Sequence, residues 1–223
     1  MRKLLILGLW LAALPVQAHS LDELQADLLK QEPHVVFETG IGKPFPQFWL
    51  ADAEGHPLDL EALRGRVVVL EFITDACGAP CDAQSRLMAE AQQDMAAAHM
   101  ASLVQFISVT LDPAVDTPEL RQGYGKAHGL SDDNWAFGAP ADPKTAQDLA
   151  RQAGLTLLEK PGAGISNPPV TFAIDRNGWL RARFLGLKYD PLNLVTYVNA
   201  LTNDFHDVDQ RQHPQRHPAK PGS

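Results

Sequence analysis

The chain has 223 residues, 45% of them apolar and 21% charged, with a formal charge of −8 and two cysteines. This length and composition suit one globular domain with a sizeable core. An acidic chain without a basic cluster excludes electrostatic capture of nucleic acid or of an anionic membrane surface.

Residues 1–18 read as a secretory leader. Arg2 and Lys3 form the charged start, Leu4 to Leu14 the apolar run, and Val16-Gln17-Ala18 a small-residue cleavage site after Pro15. The run is too short to span a bilayer comfortably. Cleavage is therefore expected to leave His19 at the N-terminus and no membrane span. Intact mass of the exported protein checks this, and retention of Arg2 in a membrane fraction would contradict it.

The expected extension, residues 19–41, contains an amphipathic helix from Leu21 to Gln31 and then a Pro-containing extended stretch through Pro46. Phe48 to Leu60 reads as a hairpin turning at Asp52-Ala53-Glu54-Gly55. The unbroken apolar run around Val67-Val68-Val69 to Ile73 predicts a buried central strand. A helix follows from about Cys81 to Ala98, with Leu87, Met88, Ala91, Met95 and Ala98 on its apolar face. Leu103 to Leu111 is a second core strand. Three further helices open with a polar cap and a proline, at Thr117-Pro118, Asp142-Pro143 and Asp190-Pro191. Gly129 and Gly154 suit the ends of the first two. Strands Val170 to Ile174 and Leu180 to Leu185 are joined by a turn containing Asn177-Gly178. Hairpin, β, α, β, α, α, β, β, α is an α/β order. It is the thioredoxin-like arrangement with an added N-terminal β-hairpin and insertions, over residues 42–204. The His- and Pro-containing residues 205–223 read as a disordered tail.

Cys77 and Cys81 lie where the buried strand gives way to a helix. A disulfide across so short a gap closes almost no loop, so redox or metal chemistry explains the spacing better than stapling does. A thiol at a helix N-terminus faces unpaired N–H groups and the positive end of the dipole, and both favour the reactive thiolate. Pro80 fits a first helical turn. Glu71 interrupts an otherwise apolar strand. Either it is a buried acid with partners, or it sits at an edge or twist that reaches solvent.

The span from about Gly42 to Leu201 resembles the Sco/SenC family of thioredoxin-fold proteins. The Cys77-x-x-x-Cys81 spacing and the segment Leu111-Asp112-Pro113-Ala114-Val115-Asp116-Thr117-Pro118-Glu119 carry the resemblance. It implies a periplasmic or membrane-attached protein. It further implies copper held by the two cysteines and a downstream histidine, in the service of cytochrome oxidase copper-site assembly. Counting back from Gly178 places that histidine at Asn167, and no histidine lies between His128 and His206. Without it, two thiolates can hold Cu(I), a soft ion, only weakly. The segment Pro169 to Gly178 is also similar to the cis-proline region of TlpA-like and ResA-like oxidoreductases, which implies a cis bond at Pro169, with Pro168 as rival. Glu71, six residues before Cys77, matches the buried acid of thioredoxins, implied to exchange a proton with the second cysteine.

These readings predict a monomeric periplasmic thiol–disulfide oxidoreductase acting on a protein substrate, with Cys77, Cys81, Glu71 and Pro169 as its site. The alternative is a Cu(I) metallochaperone using Cys77 and Cys81 without redox turnover. No cofactor is required by the first. His19, His206, His213 and His217 offer weaker copper ligands. His128, Asp112 and Trp135 read as helix-end and packing residues, with Asp112 following a core strand that could bring it near the cysteines.

Overall fold

The computed structural model describes residues 20–40, 42–160 and 164–203. The leader, His19 and the 205–223 tail lie outside the described residues. Helix α1 (Leu21–Gln31) opens at Ser20, whose side chain and that of Glu23 close a reciprocal capping box. Strands β1 (Val35–Phe37) and β2 (Lys43–Pro44) follow, then the expected hairpin β3 (Trp49–Ala51) and β4 (Pro57–Asp59). Next come β5 (Val67–Ile73), helix α2 (Ala79–Ala97), β6 (Val104–Thr110) and α3 (Pro118–His128). The chain continues through β7 (Trp135–Gly138), α4 (Pro143–Gln152), the small hairpin β8 (Leu158–Lys160) and β9 (Gly164–Ser166), β10 (Val170–Ile174), β11 (Trp179–Leu185) and α5 (Pro191–Asn203).

The main sheet runs β1-β11-β10-β5-β6-β7, with β2 also on β11. Strands β5, β6 and β7 are parallel, and β10 is antiparallel to β5. Thus β5 is central, and all seven of its residues are buried. That burial on both faces is why its sequence runs apolar without alternation. Val67, Val69 and Ile73 pack with Met88, Met95, Leu194, Tyr197 and Val198 on the α2 and α5 side. Val68, Leu70 and Phe72 pack on the other face with Phe45, Phe48 and Leu149. Phe172 meets Phe72 and Phe45 edge-on at 5.8 and 5.7 Å there.

The three Pro-opened helices form as expected. Thr117 and Asp142 accept from the backbone N–H groups of Leu120 and Thr145, and Asp190 from that of Leu192. Each such cap contributes about 1 kcal/mol. Gly129 closes α3 in the left-handed region at φ 83°.

Differences from the sequence reading are local. Residues 20–40 bring edge strand β1 into the main sheet, pairing Val35 with Phe184. Strand β7 lies between α3 and α4, where no strand was expected, and the β8–β9 hairpin precedes β10. The buried face of α2 is also more polar than expected: it includes Gln84, Ser85 and Gln92, whereas Ala98 is exposed.

Candidate functional site

Strand β5 delivers the chain to a tight turn, Asp75–Cys77, and α2 begins two residues later. Gly78 between them has φ 61° and ψ −138°, a conformation that a residue with a Cβ avoids. Its carbonyl accepts the N–H of Cys81 at 2.9 Å, while the N–H of Cys77 reaches back to Thr74 at 3.0 Å. This geometry sets the two Cα atoms 5.6 Å apart, and Cys77 and Cys81 form a disulfide. Both residues are buried, Cys77 at 7% and Cys81 at 3% exposure. Both sit at the N-terminal end of a 19-residue helix, where unpaired N–H groups stabilise a thiolate.

Directly beneath lies a polar belt that crosses the sheet. Glu71 on β5 stands in register between Thr171 on β10 and Ser108 on β6. It is fully buried in a central strand, so the solvent-reaching alternative does not hold. One oxygen, Oε1, accepts hydrogen bonds from Ser85 and Ser108, each at 2.7 Å. The other, Oε2, has no partner. Burial pushes the Glu71 carboxyl up to about 7, against the pull of the two serine hydrogen bonds and the His128 ring. Ser85 lies one helical turn after Cys81, so α2 carries both the thiol and the group that holds the acid.

Around this pair the polar contacts extend outward. Ser85 Oγ is 2.8 Å from Tyr124 Oη, and Trp135 Nε1 donates to Ser108 Oγ at 3.1 Å. The Tyr124 ring stacks on His128 at 4.0 Å. Nδ1 of His128 lies 2.8 Å from the Tyr124 carbonyl and Nε2 3.0 Å from Asp82. Burial, then the nearby Glu71 carboxylate, pushes the Tyr124 hydroxyl well above the ordinary phenol range.

A cleft of about 320 Å³ opens beside the disulfide, lined among others by Thr74, Asp75, Cys81, Asp82, Asp116 and Tyr124. The Asp112-to-Glu119 segment builds its rim. Val115 and Asp116 donate backbone N–H groups to the Asp112 carbonyl, and the Thr110 hydroxyl donates to the Asp116 carboxylate. Asp116 therefore takes the place at the cleft that Asp112 was a candidate for. Burial, then the charges of Asp75 and Asp112, raises the Asp116 carboxyl above the usual carboxylate range.

Asn167 is buried. Its Nδ2 donates to the Phe72 carbonyl at 2.9 Å, while Oδ1 has no partner. Pro169 lies beside the motif, sharing a surface groove with Pro80, His34 and Leu185. Its peptide bond is not cis: there is none among the described residues, which corrects the expectation at both Pro169 and Pro168. The Pro169 carbonyl is engaged by the N–H of Gly186 at 2.9 Å, and Val170 pairs with Leu185. The backbone here is spent within the fold rather than presented outward, and the trans form satisfies it without the cost of a cis bond.

Of the residues expected from the sequence, the structure joins Cys77 and Cys81 and places Glu71 one hydrogen bond from Ser85 on the same helix as Cys81, with Asn167 and Pro169 at the end of the neighbouring strand. The sequence reading missed Ser85, Ser108, Tyr124 and Asp116, and took Trp135 and His128 for packing and helix ends. A hydroxyl in the middle of the apolar run Val104–Thr110 was the available signal for Ser108.

Fold and site together define a thioredoxin-like α/β protein with a Cys-x-x-x-Cys disulfide above a buried acid. Residues 40–149 match the SCO1/SenC family model. The matched segment, just under half of the chain, is of the SCO1/SenC type. The SCO1 protein homolog of Bacillus subtilis is 26% identical over 114 residues, 51% of this chain and 58% of that relative, so the match spans little more than half of the relative's length. Among solved structures, BsSco, described as having a disulfide switch and as a member of the Sco family of cytochrome c oxidase assembly proteins, superposes with TM-score 0.65. It is 20% identical, covering 74% of this chain and 97% of that one. Arabidopsis thaliana ScoI, solved with copper bound, gives TM-score 0.60 at 18% identity, covering 74% and 99%. At these identities the structural likeness is one of fold. No helix among the described residues is long and apolar enough to cross a membrane.

Proposed function

We propose that this chain is a periplasmic, monomeric thiol–disulfide oxidoreductase of the Sco type, whose protein substrate is a copper-site protein of cytochrome oxidase assembly. The observation that carries the reading is the Cys77–Cys81 disulfide at the start of α2, one turn from the Ser85 that holds Glu71. In the reduced protein the Cys77 thiolate attacks a substrate disulfide and releases one substrate thiolate. Cys81 then attacks the Cys77 sulfur of the mixed disulfide. The bond to the substrate breaks, the Cys77–Cys81 bond forms, and the second substrate thiolate leaves. An external dithiol returns the pair to the reduced state. Pro169 and Pro80 line the groove beside the motif, where a substrate chain would lie. Glu71 takes the proton that Cys81 must lose, which a carboxyl titrating near neutrality can do and an ordinary one does poorly.

Thiol counting tests the first requirement. Two thiols are expected to appear on treatment with dithiothreitol and to vanish with mild oxidant. Two thiols that persist under oxidant would overturn the redox reading.

A second reading, Cu(I) delivery, is favoured by the copper-bound relative. The donor set fits it in part. The reduced cysteines supply two soft ligands, but the place implied for a histidine holds Asn167, whose amide is a poor Cu(I) donor and is tied to Phe72. Copper would be cargo here, held by Cys77 and Cys81. Asn167→His is expected to tighten Cu(I) binding by about tenfold or more, of the order that ligand-sphere changes produce. Competition with a Cu(I) chelator measures it. An unchanged affinity would show that Asn167 does not stand at the ligand position.

A further inference from the structure

Glu71 has no exposed surface, and its hydrogen-bonded side chains lead away from it toward the cleft. The hydrogen bonds at Oε1 define two branches. One passes through Ser108 to Trp135 Nε1. An indole N–H donates but accepts nothing, so that branch ends there. The other passes through Ser85 to Tyr124. Ser85 has a single proton, given to Glu71, so across the 2.8 Å contact Tyr124 must be the donor. Tyr124, Ser85 and Glu71 thus form a chain with one direction, and Tyr124 lines the same cleft as Cys81. On the β10 side, Thr171 bonds to Tyr189 at 3.0 Å, and Tyr189 is itself buried.

We propose that Tyr124 and Ser85 are a proton relay linking Glu71 to the cleft in which Cys81 sits. The inference rests on the reading that Glu71 serves the cysteine pair, and it names the route. When Cys81 resolves a mixed disulfide, its proton crosses the cleft to Tyr124 Oη. The Tyr124 proton moves to Ser85, and the Ser85 proton to Glu71 Oε1. The thiolate left on Cys81 forms the bond to Cys77 as the substrate sulfur departs. The sequence reverses when Glu71 releases its proton. Tyr124 never ionises, because burial and the Glu71, Asp82 and Asp116 carboxylates disfavour the phenolate, so it passes protons only by a coupled shift. His128, held by Asp82, stacks on the Tyr124 ring and keeps Oη pointed at Ser85. The groups facing Glu71 are therefore Ser85 from α2, Ser108 from β6, Tyr124 and His128 from α3, Thr171 from β10, and Tyr189 ahead of α5.

The test follows release of glutathione from the mixed disulfide at Cys77 in the full chain, from about pH 5 to about pH 9, a range spanning raised carboxyls and ordinary thiols. Wild type is expected to show a rise in rate through the Glu71 titration. Tyr124→Phe and Ser85→Ala are each expected to lose that rise and to release glutathione at least about tenfold more slowly above it, the lower end of general-base effects. Ser85→Thr keeps the hydroxyl and is expected to restore it, which a purely structural role for Ser85 would not require. If Glu71→Gln loses the rise while Tyr124→Phe and Ser85→Ala keep it, the relay is overturned and the role of Glu71 stands. If Glu71→Gln keeps it too, both fall. Should Tyr124→Phe fail to fold, the Ser85 pair decides alone.

Discussion

Glu71→Gln will unfold at higher denaturant than the wild type at pH 8, and the advantage will shrink as the pH falls to about 4. The folded-state carboxyl titrates at about 7 against 4.5 for an ordinary one, raised by burial. A group whose folded pKa is raised contributes stability that is fully present below 4.5 and is lost as pH rises through about 7. The loss is on the order of 3 kcal/mol by the conversion of pKa shift to free energy. Glutamine accepts the same hydrogen bonds from Ser85 and Ser108 at Oε1 and carries no charge, so its stability will lack this pH dependence. Urea unfolding of oxidised protein at pH 5 and pH 8 measures the difference. Parallel wild-type and mutant curves at the two pH values would place the Glu71 titration elsewhere. The same substitution will slow mixed-disulfide resolution at pH 8 while leaving attack by Cys77 nearly intact. A gain in stability with a loss in rate is the signature of a charge kept for chemistry rather than for folding.

Arg181→Met is expected to have the largest effect on stability. Arg181 and Asp175 form an ion pair at 3.0 Å, with side chains 4% and 5% exposed. The other Asp175 oxygen accepts the N–H groups of Asn177 and Trp179 and so shapes the turn between β10 and β11. Methionine fills most of the arginine volume but leaves the carboxylate uncompensated in the interior. Breaking one side of a buried pair costs about 3–5 kcal/mol. Adding Asp175→Asn to Arg181→Met should recover much of the loss, because the amide oxygen still serves the turn without a charge. Equal stability of the single and double variants would mean that the arginine acts through packing alone.

How much of this was legible depended on whether a feature was written locally. The β5 run, the Pro-opened helices and the Asn177-Gly178 turn each carry their signal within a few residues, and each forms as read. Strand β1 is three residues long and pairs with β11 almost 150 positions away, so nothing local marks it. Strand β7 has four residues, too few to show a period. The polar residues of α2 looked solvent-facing by composition. Burial of Gln84 and Gln92 is decided by the backbone groups they meet, which only the fold supplies. The acid at Glu71 was legible, but its partners come from α2, β6 and α3 and are united only by register. At Pro169 the cis and trans forms differ by about 0.5–1 kcal/mol in a free chain, so the choice falls to neighbours such as Gly186 that the local sequence does not show.

The amides along α2 have one more consequence. Gln84 donates to the Val170 carbonyl, and two turns on Gln92 exchanges hydrogen bonds with Ser131 and donates to Asn134 Oδ1. Together they index the helix like teeth in a rack. A slide of one residue, about 1.5 Å and 100° of turn, would strip every one of these bonds in the interior. When the two sulfurs part, the body of the helix therefore stays where it is. The stretch from Asp75 to Cys81, which carries both sulfurs, lies ahead of these anchors. In the proposed redox function, a protein substrate that tells the oxidised pair from the reduced one does so by contact at that stretch.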